Sequence, residues 1–165
     1  MRRLLLVFAA AGLLLAMLAP VVAGDGGNKF KASLNGYLET PSVSTAGSGS
    51  FRLRVHKDWM EYTLTYKNLT GAPLFAHIHF GRPDVAGGVA VFLCGGGGKP
   101  ACPAAPSGTV SGTIVAADVV GPAGQGIAAT EFAEVVRAIR HGATYANVHT
   151  PTFGSGEIRG NIKSD

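Results

Sequence analysis

Two histidines one residue apart, His77 and His79, stand in the apolar run 74–81. On a strand, residues i and i+2 share a face, so both imidazoles point one way while Leu74, Ala76, Ile78 and Phe80 point the other. A third candidate, His149, ends the stretch Tyr145-Ala146-Asn147-Val148-His149, in which Tyr145, Asn147 and His149 share a face. Three neutral imidazoles form an open ligand set suited to copper or zinc. The same histidines have a purely structural use, hydrogen-bonding the closing strands and Glu157 to fix register. Both readings stand on sequence alone, and both require the 77/79 strand to neighbour the closing strands. Asn147, Glu157 and Arg159 are the polar residues expected around the cluster. Arg159 either pairs with Glu157 or Glu39 across the sheet or steers an anion toward a metal.

Other chemistries find little support. No Gly-x-Ser-x-Gly elbow occurs, and the glycine run 95–98 lacks the Lys-Ser/Thr of a phosphate loop. Glu131 and Glu134 sit where a helix begins, which its dipole explains without paired-carboxylate catalysis. Cys94 and Cys102 are the only cysteines. In an exported chain, a pair this close reads as a disulfide. Two thiolate metal ligands would need a reducing compartment or partner cysteines, and neither is indicated.

The elements that must position these residues are mostly strands. Phe30, Ala32 and Leu34 alternate with polar residues, as do Phe51, Leu53 and Val55, and then Met60, Tyr62, Leu64 and Tyr66. The last two sets form an expected hairpin across Lys57-Asp58. Residues 89–93 form a short apolar strand, Val110, Gly112 and Ile114 mark another, and residues 144–150 and 157–162 close the chain. Phe132, Val135, Val136 and Ile139 recur at helical spacing, with Thr130 as the expected N-cap and Gly142 as the stop. About eight strands and one late helix predict a mostly β, antiparallel sandwich or barrel. Leu34, Phe51, Leu53, Leu64, Ile78, Val91, Ile114, Val148, Ile158 and Ile162 are its expected core. His56 and His141 are expected in solvent.

Arg2 and Arg3 precede an apolar run over residues 4–18, and Val21-Val22-Ala23 offers a small-residue cleavage site. The run is short for a span of ~20 residues. The organisation expected is a signal peptide at 1–23, a flexible lead-in at 24–28 and one domain at 29–165, secreted or periplasmic, with no membrane association after cleavage. An uncleaved anchor is the rival. Without its first 23 residues the chain keeps 142 of 165, with 12 of its 14 Lys and Arg against 10 acidic residues. No basic cluster beyond Arg52/Arg54 and no nucleic-acid motif is evident.

Taken together, the segments resemble the CHRD (chordin) domain family. Its stations are Phe30-x-Ala32-x-Leu34, Ala76-His77-Ile78-His79-Phe80-Gly81, Val91-Phe92-Leu93-Cys94, and Ala138-Ile139-Arg140-x-Gly142 running into Tyr145-Ala146-Asn147-Val148-His149-Thr150. Gly156-Glu157-Ile158-Arg159-Gly160 ends the series. The resemblance is to single-domain, bacterial-type members. It implies a secreted β module that binds an extracellular protein or surface ligand, or serves a structural role. Locally, His77-Ile78-His79-Phe80-Gly81 is also similar to the copper-binding strand of copper/zinc superoxide dismutases. Those enzymes place further histidines and an aspartate in the following loop. Here no histidine lies between His79 and His141, so a bridged zinc subsite is not expected.

Overall fold

The computed structural model describes residues 25–165; the signal peptide expected at 1–23 lies outside them. Strict apolar–polar alternation makes β1 (Lys29–Asn35) and β3 (Met60–Lys67) half-buried strands, with every second side chain inside. They flank β2 (Ser48–Val55), and the expected β2–β3 hairpin is present, with Phe51 opposite Leu64 and Val55 opposite Met60. The remaining strands are β4 (Phe75–Phe80), β5 (Gly88–Cys94), β6 (Gly108–Ile114), β7 (Thr144–His149), β8 (Ile158–Asn161) and the two-residue β9 (Lys163–Ser164).

All strand pairs are antiparallel, in the order β5-β4-β7-β8-β1-β2-β3-β6, with β9 also on β1. The two end strands curl toward each other. Val91 of β5 bridges Val119, beyond β6, and the Tyr62 hydroxyl on β3 donates to the Leu93 carbonyl on β5 at 2.6 Å. The result is a nearly closed antiparallel barrel with one α-helix, in which only the edges of β5 and β6 stay unpaired with each other. All ten expected core residues are buried in one cluster with Val135 and Ile139, and Phe132 packs against it.

The helix α1 (Phe132–Arg140) starts differently from the sequence expectation. Thr130 lies one residue before the cap position, in a left-handed conformation at φ 70°, with its N–H on the Val119 carbonyl at 3.0 Å. Glu131 occupies the cap position, and its side chain accepts instead from the Ala128 N–H at 2.6 Å. Gly142 does terminate the helix, at φ 64°. The order of strands matters most for the site, because β7 lies between β4 and β8.

Candidate metal centre

Residues on β4 and β7 pair in register, with His77 opposite Asn147, His79 opposite Tyr145 and Phe75 opposite His149. Antiparallel pairing therefore sets the His77/His79 face beside the Tyr145/Asn147/His149 face. Sequence alternation predicts this face to turn outward, but it is covered. His77, His79 and His149 are 6%, 8% and 7% exposed, and every residue of β7 is buried. The cover is made by loops: the Gly87 carbonyl reaches His79, the Gly154 carbonyl reaches His149, and Glu39 reaches Asn147. Both faces of β4 and β7 are thus interior, one apolar and one lined by imidazoles.

The three histidines each offer a ring nitrogen within 4.8 Å of the others. Nδ1 of His79 lies 2.9 Å from the Gly87 carbonyl, and Nδ1 of His149 lies 3.0 Å from that of Gly154. A carbonyl only accepts, so both Nδ1 atoms carry the proton and both Nε2 atoms present a lone pair. His77 Nδ1 stands 3.2 Å from His149 Nε2. His77 Nε2 and His79 Nε2 are buried without a hydrogen-bond partner. Burial, then the neighbouring histidines, pushes His77 down to about 3. Burial likewise pushes His79 down to about 4, against the opposing pull of the Gly87 carbonyl. His149 is lowered by burial as well, partly offset by Gly154. All three are neutral at pH 7, the form that binds metal.

Aromatic rings fix the imidazoles. The Phe92 ring meets His77 edge-on at 4.4 Å, and Phe75 stacks on His77 at 5.5 Å. Tyr145 stacks on His79 with centroids 4.7 Å apart and planes within 2°. From the β8 side, the Arg159 guanidinium lies 3.9 Å from the Tyr145 ring centroid, a cation–π contact. The Tyr145 hydroxyl accepts the Gly87 N–H at 3.1 Å, which steadies the residue whose carbonyl holds His79.

Asn147, Glu157 and Arg159 surround the cluster but hydrogen-bond elsewhere. Asn147 donates to Glu39 at 2.5 Å and to the Ile158 carbonyl at 3.3 Å. Arg159 donates to Thr40 at 3.1 Å and to the Val85 carbonyl at 3.2 Å, while its charge acts on Glu39. Glu157, fully buried, accepts hydroxyls from Thr45, Thr70 and Thr150, each at 2.7 Å, and the Thr70 N–H at 2.9 Å. Glu157 thereby ties three loops together below the site. Gly156 is required beside it: at φ 130°, a Cβ there would come within 2.6 Å of Asn147 Nδ2 and 2.8 Å of Glu39 Oε1.

Sequence reasoning did not find Gly87 and Gly154, because a carbonyl partner leaves no side-chain signature. Glu39 is expected only as a partner of Arg159, and its hydrogen bond with Asn147 and the ring contact of Phe92 were not foreseen. His56 is half-buried and stacked on Trp59 at 3.9 Å, unlike the solvated residue expected, whereas His141 is exposed. Cys94 and Cys102 form the expected disulfide, with Cα atoms 5.0 Å apart.

A family model described as the CHRD domain matches residues 30–162. No curated protein and no solved structure matches the chain.

Proposed function

The chain belongs to the CHRD domain family, and from that premise we propose that it is an exported β module whose three-histidine cluster holds one copper or zinc ion. The observation that carries this reading is the buried, partnerless Nε2 of His79 beside the pair formed by His77 Nδ1 and His149 Nε2. Buried polar nitrogens normally find partners, and a metal ion supplies one. The carbonyls of Gly87 and Gly154 act as outer-shell acceptors of the kind that fix a ligand's tautomer. The 3.2 Å between His77 Nδ1 and His149 Nε2 also suits two ligands of one ion at ~2.0–2.1 Å each.

Export is supported by the basic, apolar and small-residue order of residues 1–23. Among the described residues, no helix is long and apolar enough to cross a membrane. A bound ion would supply Lewis acidity or, as copper, one-electron chemistry. The chain's own part is to present three neutral imidazoles in a dry, ring-lined setting. Elemental analysis of purified protein beside the His77→Ala variant tests the reading. One copper or zinc per chain, lost in the variant, is expected; metal-free protein that takes up none on exposure to either ion contradicts it.

A further inference from the structure

Positive charge is unevenly placed on this domain. Of the twelve Lys and Arg after residue 23, six line two neighbouring clefts: Lys29, Arg52, Arg54, Lys57, Arg137 and Arg140. The first cleft, about 650 Å³, runs between the end of β2 and the last turns of α1, and adds His56 and His141. Among the described residues no carboxylate lines it. The second, about 550 Å³, crosses the outer face of β1, β2 and β3 and holds two carboxylates, Glu61 and Asp165. Arg54 lines both, so the clefts form one track. The track carries net +4, while the rest of the domain, with six cations and eight acids, carries −2.

The local structure makes this arrangement. Arg52 and Arg54 alternate outward on β2 because Phe51, Leu53 and Val55 fill the core. Arg54 stands in register between Lys29 and Glu61. Ala133, Val136, Arg137 and Arg140 recur at i, i+3, i+4 and i+7, so they share the α1 face that lines the first cleft with Lys57. Arg137 shares its charge with Glu134, and Arg140 donates to Asn28 at 3.2 Å. Asp58, Glu131 and Glu134 line an adjoining cleft that shares Lys57, so acidic side chains bound the track at that end.

We propose that this track binds a linear polyanion, a sulfated or phosphorylated polysaccharide, independently of the histidine cluster. Its length and repeated cations suit spaced anionic groups rather than one small anion. A nucleic acid would also want exposed rings for base stacking. The track offers no row of them: Phe30 and Tyr62 are buried, Phe132 packs on the core, His56 is already stacked on Trp59, and His141 is a single exposed ring. An anionic membrane would favour apolar side chains along the rim, and the exposed Leu74, Val85, Val115 and Val120 line neither cleft.

The test uses the purified protein, dextran sulfate, anionic phospholipid vesicles and duplex DNA, with affinities measured across a salt series. Expected is saturable binding to dextran sulfate at about 0.15 M salt, falling steeply as salt rises. The triple variant Lys57→Gln, Arg137→Gln, Arg140→Gln should bind about tenfold more weakly with a shallower salt slope. The control pair Lys67→Gln, Arg82→Gln, outside both clefts, should match the parent, and unchanged melting curves should accompany each variant. Equal loss in triple and control, no binding to dextran sulfate, or vesicles or DNA bound as tightly would each overturn the proposal.

Discussion

His77 Nδ1 and His149 Nε2 stand 3.2 Å apart on adjacent strands, and the proton that His149 gives to the Gly154 carbonyl leaves that Nε2 with its lone pair. In metal-free protein His77 donates across this gap. A bound ion would take both lone pairs, and His77 would then carry its proton on Nε2. One geometry thus serves as a hydrogen bond or as a ligand pair, and the buried bare nitrogen of His79 marks the difference.

Glu157 should make the fold acid-sensitive. Burial raises its carboxyl, yet the hydrogen bonds from Thr45, Thr70 and Thr150 outweigh burial and hold it below the ordinary 4.5. A depressed folded value means that the unfolded chain takes up the proton first. The contribution is present above pH 4.5 and is lost as pH falls through the folded value. Glu157→Gln places an amide where donors already point, and should destabilise by about 1–3 kcal/mol at pH 7. Urea unfolding at pH 7 and below 4 checks both the loss and its disappearance in acid.

Glu39 should act in the opposite sense. Burial lifts it from 4.5 to about 7, against Arg159, Asn147 and the Thr40 backbone. The folded chain holds this proton more tightly than the unfolded one, so the contribution is full below pH 4.5 and lost as pH rises through about 7. Glu39→Gln keeps an acceptor for Asn147 without the charge. Its stability should gain about 1–3 kcal/mol on the parent between pH 5 and 8. Parallel pH–stability curves for the two proteins would refute the assignment.

The Cys94–Cys102 bridge closes a nine-residue ring against the site. A Cβ at Gly96 would come within 2.4 Å of the Phe92 ring, whose edge in turn rests on His77. Replacing both cysteines with Ser should lower stability by about 2–3 kcal/mol, the loop-entropy value for so short a ring. Chemical denaturation of oxidised protein and of the double variant measures it; identical midpoints would show that the ring adds nothing.

Much of the barrel is legible in the sequence because its faces are one-sided. Period-two alternation at Phe30, Phe51 and Leu64 places their strands and their core sides correctly, and helical spacing does the same for Val135 and Ile139. Pairing of β4 with β7 is not legible, since 63 residues separate Phe80 from Thr144 and no local signal encodes a partner. The burial of the histidine face is hidden for another reason. Alternation reports polarity, and the polar side of β7 is covered by loops whose polar groups, Glu39 and the Gly87 and Gly154 carbonyls, satisfy it. The helix start illustrates a tertiary override: Thr130 is a good cap by type, but the loop held to Val119 puts it in a left-handed conformation one residue too early.

The proposed site holds one ion on three imidazoles. Isothermal titration of copper(II) and zinc(II) into chelator-treated protein, beside folded His77→Ala and His149→Ala variants, tests it most directly. Binding at one equivalent per chain, weakened by about 100-fold or more in each variant, is the predicted result for a lost ligand. Equal and weak binding by all three proteins would contradict the account and leave the histidines a structural role.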